Sequence, residues 1–259
     1  MLKRLIGIIT VKDGWAVQSI GYKKYLPLGR PEILAENLDR WHLEEILIVD
    51  ISRSSFKTPN IDLVNSVASM SLSTPISYAG GINTAKHAID VIKAGADRIG
   101  IENIFRDNYT EVQEITNSLG RQAIIRIQPL QVNKKKLHIY NYLDKSTKEL
   151  DDIDDFLESS NLYSELMIVD YKNEGIKNGF NLELLKYFYK SNIQLICFGG
   201  ISNSKQVRYL SKIQNISAIA IGNFLNFTEL ANREIGIKRN IKKLRHVSYG
   251  SKTLGEKDW

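Results

Sequence analysis

The stretch Ile196-Cys197-Phe198-Gly199-Gly200-Ile201-Ser202-Asn203 repeats, nearly word for word, the earlier Ser77-Tyr78-Ala79-Gly80-Gly81-Ile82-Asn83. In each copy an apolar run of strand length ends in paired glycines and gives way to a polar residue suited to cap a helix, which reads as strand, tight turn, helix. Glycines at such a turn let the backbone come close to a ligand. The free amides of a helix start attract an anion, so a phosphate is the expected guest; a plain strand-to-helix turn is the alternative.

Working outward, Ile48-Val49-Asp50 returns as Ile168-Val169-Asp170, an offset of 170 − 50 = 120, and Ile101-Glu102-Asn103-Ile104-Phe105 returns as Ile221-Gly222-Asn223-Phe224-Leu225, again 223 − 103 = 120. The glycine pair keeps nearly the same offset, 199 − 80 = 119. Arg4 to Thr10 then pairs with Gln122 to Gln128 as the first strand of each half. A repeat of this length in 259 residues means two similar halves, far longer than a solenoid unit.

Apolar runs at about 4–10, 45–50, 75–79, 97–101, 122–128, 165–170, 193–197 and 217–221 read as strands. Between most of them lie helix-length stretches with apolar residues three and four apart: Pro31 to Trp41, Asn60 to Met70, Ala85 to Ala94 and Leu182 to Tyr189. Strands alternating with helices in two echoing halves predict an α/β fold of the (β/α)8 barrel type, with a site at the C-terminal strand ends. A doubly wound open sheet is the rival, which the half-and-half repeat disfavours. The expectation is one barrel domain over 1–259, half-barrels at about 1–120 and 121–240, and a basic tail 241–259. Two connections are long. Gly14 to Arg30 carries Tyr22, Lys23, Lys24 and Tyr25 and suits a mobile lid over an anionic ligand; Leu130 to Lys148 reads as a hairpin turning near Asn133-Lys134.

Composition narrows the function classes. A chain with 43% hydrophobic residues can bury a large core, and no apolar run is long enough to span a bilayer, so a cytoplasmic protein without membrane contact is expected. The lone Cys197 excludes an internal disulfide and reads as a small buried hydrophobe. His42, His87, His138 and His246 lack metal-ligand spacing, so neither metal nor cofactor is expected. The net charge of +6 is fed by Arg233, Lys238, Arg239, Lys242, Lys243 and Arg245, which read as a solvated helix rather than a nucleic-acid site.

Taken in order, Val11-Lys12-Asp13-Gly14, Gly29-Arg30-Pro31-Glu32, Ala79-Gly80-Gly81-Ile82, Gly95-Ala96-Asp97-Arg98 and Asn173-Glu174-Gly175-Ile176-Lys177-Asn178-Gly179 resemble the cyclase subunit of imidazole glycerol phosphate synthase over roughly residues 1–235. That subunit is a histidine-pathway barrel fed with ammonia by a glutaminase partner. The resemblance implies two phosphate sites, Gly80, Gly81 and Asn103 in the first half and Gly175, Gly199, Gly200, Gly222 and Asn223 in the second, holding the two ends of a bisphosphate.

The chemistry departs from the family. Its general acid and base are aspartates at the ends of strands one and five, where this chain aligns Thr10 and Gln128. Neither shuttles protons near neutral pH, and each positioned transfer is worth about 10²–10⁴ in rate. A family lysine in the following loop aligns with Gln18, and Glu102 takes a polar phosphate-site position. Asp50, Asp170 and Glu174, at or just past strand ends, are candidate substitutes.

The other end keeps its charges. The resemblance places a gate for ammonia at Arg4, Glu45, Arg98 and Glu165, where the strands begin, and a partner-facing rim at Asp97 and Gln122; a plain salt-bridge ring closing the barrel is the structural alternative. Lost catalysis with a kept gate is similar to the paralogues of this cyclase in surface-polysaccharide clusters, which accompany a glutaminase and a sugar amidotransferase. The leading expectation is an ammonia-conducting subunit of a glutamine-dependent amidotransferase complex. An ordinary cyclase with substitute residues comes second, and a single-chain phosphosugar isomerase third.

Overall fold

The structure, a computed structural model, describes residues 2–52 and 58–227; the basic run from Arg233 to Arg245, His246 and the tail 241–259 lie outside the described residues. Twelve strands occur among the described residues: β1 (Arg4–Lys12), β2 (Trp15–Ile20), β3 (Lys24–Gly29), β4 (Glu45–Asp50), β5 (Ile76–Ala79), β6 (Arg98–Ile101), β7 (Ile124–Asn133), β8 (Lys136–Tyr140), β9 (Thr147–Glu149), β10 (Glu165–Asp170), β11 (Gln194–Phe198) and β12 (Ile216–Ile221). Eight of them run parallel in the order β10-β11-β12-β1-β4-β5-β6-β7, and pairing of β7 with β10 closes the circle. This is a (β/α)8 barrel, as the alternating pattern predicts.

Barrel strands are rich in Ile, Val and Leu because both faces are covered. One face packs along the axis, where Ile6, Ile8, Leu47, Ala79, Ile125, Met167, Val169, Ile196, Phe198, Ala218 and Ala220 form an apolar column. The other face, with Leu5, Ile9, Ile48, Ile124, Leu130 and Ile168, packs under the helices. Strand alternation therefore settles where each strand-end side chain points. Thr10 continues the inward series Ile6, Ile8. On β7 the inward series is Ile125, Ile127, so its next member is Pro129, while Gln128 falls on the helix side with Ile124 and Leu130.

The half-repeat is visible as one contact made twice. A Cβ on Gly80 would stand 2.5 Å from the Asp50 carbonyl oxygen, and one on Gly199 would stand 2.5 Å from that of Asp170. Both glycines sit at positive φ, 141° and 107°. They are required because the neighbouring strand end crosses against them, which is a different reason from approach to a ligand. Each turn leads into a capped helix. Thr84, rather than Asn83, accepts from the His87 amide at the start of Ala85–Lys93; Asn203 accepts from Gln206 at the start of Ser204–Leu210.

Two expectations are corrected. The connection 14–30 is a β-ribbon rather than a loop, because Val17 and Ser19 pair with Pro27 and Tyr25 across β2 and β3. The stretch Leu182 to Tyr189 is helical only over Glu183–Lys186; beyond it the backbone tightens to i→i+3 bonds, with the Phe188 amide donating to Leu185 O (3.0 Å) and that of Ser191 to Phe188 O (3.1 Å). The 130–148 hairpin forms as read, through β7 and β8, and gains the short β9.

Candidate functional site

At the N-terminal end of the barrel four charges from four strands meet. Arg4 Nη2 lies 2.5 Å from Glu165 Oε1 and its Nη1 lies 3.6 Å from Glu45 Oε2; Arg98 Nη1 lies 2.8 Å from Glu165 Oε2 and 3.5 Å from Glu45 Oε2. Each arginine touches both glutamates, so the four make a closed ring of alternating sign. The carboxylates are buried, and the guanidiniums keep only 21% and 15% of their side-chain surface exposed, so the ring is a plug rather than a surface network. Serines absent from the sequence reading complete it. Ser77 Oγ donates to Glu45 Oε1 (2.5 Å), Ser217 Oγ to Glu165 Oε1, and Arg98 Nη2 to Ser164 Oγ (2.8 Å). Ser217 reaches inward because a bulge at Leu195/Ile196 adds a residue to β12. Burial pushes the Glu165 carboxyl up, but the Arg4 hydrogen bond and charge, with Arg98 and Ser217, outweigh it and hold the group below the usual glutamate range.

The rim residues sit beside the ring. Asp97 is exposed and its Oδ2 accepts from the Ile76 amide (2.8 Å), bracing the start of β5. Gln122 is also exposed, and its carbonyl accepts from Arg98 Nε (3.2 Å).

The C-terminal strand ends carry the main correction. Gln128 does not face the axis: its Oε1 accepts from Arg126 Nη2 at 3.4 Å on the helix side, where Arg126 is stacked 3.8 Å over Phe156 and 4.6 Å over Phe105. The inward place at the end of the fifth barrel strand belongs to Pro129, which has no titratable group at all. Thr10 does face inward and is buried.

The three candidate carboxylates are each engaged in bracing. Asp170, 2% exposed, accepts through Oδ2 from Asn173 Nδ2 and from the Asn181 amide, both at 2.7 Å; desolvation raises its pKa despite those bonds. Asp50 Oδ1 accepts from the Ser52 amide at 2.9 Å. Glu174, 3% exposed, accepts through Oε2 from Ser19 Oγ (3.1 Å) and the Tyr22 amide (3.2 Å), and its carbonyl accepts from the Gly21 amide (2.9 Å). Burial pushes its carboxyl up to about 7.

The two glycine turns open onto different cavities. The second-half cavity, about 200 Å³, is lined by Gly175, Gly199, Gly200, Gly222 and Asn223 together with Lys177, Ser202 and Glu174. All five residues implied for that half converge there. The Asn223 side chain, however, is taken: Oδ1 accepts from the Ser19 amide (3.2 Å) and Nδ2 donates to Ser19 O. The first-half cavity brings Gly80 and Gly81 together with Asp13, Asp50 and Asp62, and Asn103 does not line it. Its described lining holds three carboxylates and no basic side chain.

The ribbon of β2 and β3 lies over the mouth of the barrel. Tyr22, at its turn, rests on the axial column, as does Tyr171 from just beyond β10. Tyr22 meets Tyr142 edge-on at 4.9 Å, Tyr142 meets Tyr140 at 5.0 Å, and Tyr140 stacks on Tyr171 at 4.0 Å. Burial, with Glu174 nearby, pushes the Tyr22 hydroxyl well above the ordinary tyrosine range, so it stays neutral.

The sequence profile of the histidine biosynthesis protein family matches residues 4–231. The chain belongs to that family. Within it this barrel is HisF-like. It is 32% identical over 214 residues to a candidate imidazole glycerol phosphate synthase subunit, hisF2, of Vibrio vulnificus, covering 80% of this chain and 77% of that protein. To imidazole glycerol phosphate synthase subunit HisF of Pyrococcus furiosus it is 26% identical over 238 residues, with 91% and 94% covered. To the HisF subunit of Flavobacterium psychrophilum it is 26% identical over 252 residues, with 95% and 99% covered. The similarity thus covers 94% and 99% of the two HisF subunits and 77% of the Vibrio vulnificus protein. Among the described residues no cluster of His, Cys, Asp or Glu is placed to hold a metal ion, and no helix is long and apolar enough to cross a membrane.

Proposed function

We propose that this HisF-like chain is the ammonia-conducting subunit of a glutamine-dependent amidotransferase complex. A glutaminase would dock on the N-terminal end, with Asp97 and Gln122 at its rim. Ammonia would enter through the ring of Arg4, Glu45, Arg98 and Glu165 and travel along the apolar column. The observation that carries the reading is the closed ring itself: four charges buried at the end of an apolar barrel cost desolvation, and apolar residues of similar size would close it at least as stably. A ring of long side chains can part by rotation of one of them, which a packed apolar plug cannot do.

The acceptor we propose is a sugar destined for a surface polysaccharide, amidinated by a separate sugar amidotransferase that builds an acetamidino group. Support comes from Thr10 and Pro129, which leave the strand ends without an acid–base pair. The phosphate sites are proposed at Gly175, Gly199, Gly200, Gly222 and Asn223, and more weakly at Gly80 and Gly81, whose cavity Asn103 does not line. The reading carries with it a cytoplasmic location and a single barrel domain over 1–259. The second reading is a cyclase subunit of imidazole glycerol phosphate synthase, as the HisF relatives are named; Asp50, which pairs with Val11 at the end of β4 and lines the first-half cavity, is the residue that favours it.

Affinity capture of a glutaminase by the tagged full-length chain tests the first reading, followed by glutamine hydrolysis in the recovered complex. Capture that survives Asp97→Ala together with Gln122→Ala, but is lost on blocking the C-terminal loops, would place the partner at the wrong end and overturn it. Turnover of the histidine-pathway intermediate with ammonium salts decides between the two readings.

A further inference from the structure

The barrel axis is shut at both ends, and the second closure is built from residues outside the ring. Tyr22 and Tyr171 sit on the C-terminal end of the apolar column, and Tyr22 leans on Tyr142, which leads through Tyr140 back to Tyr171. The chain of four rings joins three separate connections, those after β1, β7 and β10. Aromatic contacts of this kind, edge-on or offset, are favourable beyond the area they bury.

Tyr22 is held there against its own backbone preference. Its φ is +52°, next to Gly21 at +60°, and a bulky residue adopts the left-handed region only when its surroundings impose it. The constraint is visible: Glu174 takes the amides of both Gly21 and Tyr22, Asn223 grips Ser19 from two sides, and Tyr25 Oη donates to Tyr22 O at 2.6 Å. A Cβ on Gly175 would stand 2.6 Å from Ser19 O, so the ribbon also seats directly on the second-half glycine cradle.

We infer that Tyr22 is the stopper of the delivery end, and that the ribbon carrying it must lift from Glu174, Gly175 and Asn223 before ammonia leaves the axis. This rests on the conduit reading given above and adds a second gate to it. With two gates in series, ammonia admitted at Arg4 and Glu165 is released only when the C-terminal end is engaged. Lifting the ribbon frees the Asn223 amide and the Gly175 backbone together, so an anion seated in that cradle competes with the closed ribbon.

The test uses the full chain in complex with its captured glutaminase, fed glutamine with no acceptor, following glutamate formation. With the stopper in place, trapped ammonia holds turnover down; Tyr22→Ala is expected to raise it about tenfold, and Tyr22→Phe, which keeps the ring, to leave it near wild type. A purely structural role would lower the melting temperature of Tyr22→Ala without this rise. Should Tyr22→Ala not fold, Tyr142→Ala removes the ring Tyr22 leans on and is read in the same way. If a folded Tyr22→Ala or Tyr142→Ala complex matches wild type while Arg4→Ala changes the rate, the conduit stands and the stopper is wrong. If none of the three changes it, the conduit reading falls as well.

Discussion

The two ends of this barrel use charge in opposite ways. At the N-terminal end Arg4, Glu45, Arg98 and Glu165 are engaged mainly with one another, with Ser77, Ser164, Ser217 and the Gln122 carbonyl around them. At the C-terminal end Asp50, Asp170 and Glu174 bind amides and hydroxyls of the loops beside them. A carboxylate that accepts two or three local donors is a brace, because moving a proton through it would release the loop it holds. The end where barrels of this type carry their active sites is thus occupied with holding itself together, while the opposite end carries a ring of charges paired with one another.

The largest effect that could break this contrast is catalytic. With Thr10 and Pro129 at the two strand ends, two proton-transfer groups are missing, each worth about 10²–10⁴ in rate. Turnover of the histidine-pathway intermediate with ammonium salts is therefore expected at least about 10⁴-fold below that of a HisF enzyme assayed alongside. Activity within about tenfold would show that Asp50 or Glu174 leaves its brace to act as a base, and the two ends would no longer differ.

Next comes the ring. Glu165→Lys puts a third cation between Arg4 and Arg98 and leaves Ser217 Oγ with only the Leu195 carbonyl to bond, so unfolding free energy should fall by about 3 kcal/mol or more, read by urea denaturation. Glu165→Gln, which removes charge but keeps shape, should cost less. Stability alone does not separate a gate from a brace. The separating measurement is ammonia transferred per glutamine consumed in the reconstituted complex, which should drop for Arg4→Ala and for Glu165→Lys; an unchanged ratio in a folded complex of normal affinity would make the ring a structural closure.

Much of this was legible in the residues. The echo of Gly80-Gly81 in Gly199-Gly200 announced the half-barrels because each pair must pass beneath the same strand end, Asp50 or Asp170. The ring was legible because four charged residues open four apolar runs. Gln128 was misplaced for a physical reason: side chains alternate along a strand, so a one-residue slip moves a residue from the axis to the helix layer. The warning lay in the offset, since 128 − 10 = 118 falls short of the 119 that joins the glycine pairs. The tyrosine closure was not legible. Tyr22, Tyr142 and Tyr171 are spread over three connections, and no local pattern indicates that they meet.

A smaller effect sharpens the contrast through pH. Glu174 has a carboxyl near 7 in the folded chain against an ordinary value of 4.5, so the native state binds more protons than the unfolded state between those limits. Stability should therefore decline as pH rises from 4.5 to 7 and level off above, by about 3 kcal/mol at most from this group. Glu174→Gln keeps an acceptor for Ser19 Oγ and the Tyr22 amide but cannot ionise. Its urea midpoint should match wild type near pH 5 and exceed it near pH 8. An identical pH slope in both proteins would mean that Glu174 is hydrated and that the ribbon is not held by a buried carboxylate.

The smallest effect separates the two halves at the C-terminal end. A phosphate in the first-half cavity would face Asp13, Asp50 and Asp62, and at ~6 Å in water each such pair of unit charges costs about 0.7 kcal/mol. Asp13 is paired with Lys12 at 2.6 Å, so Asp50 and Asp62 carry the effect and disfavour binding by about 1.4 kcal/mol, or roughly tenfold, before screening by salt reduces it. In the second-half cavity Lys177 attracts the anion, and Glu174, with its pKa near 7, is only partly charged at neutral pH. Inorganic phosphate should accordingly fill the second cavity first, and calorimetric titration should weaken several-fold with Lys177→Ala while Asp62→Asn leaves that first event unchanged. The ribbon adds a further requirement, because the Asn223 side chain is engaged with Ser19 until the ribbon lifts. Phosphate density at Gly80-Gly81 at equal or higher occupancy would show that the acidic lining of the first half is neutralised, and the two halves would then be equivalent as anion sites despite their different side chains.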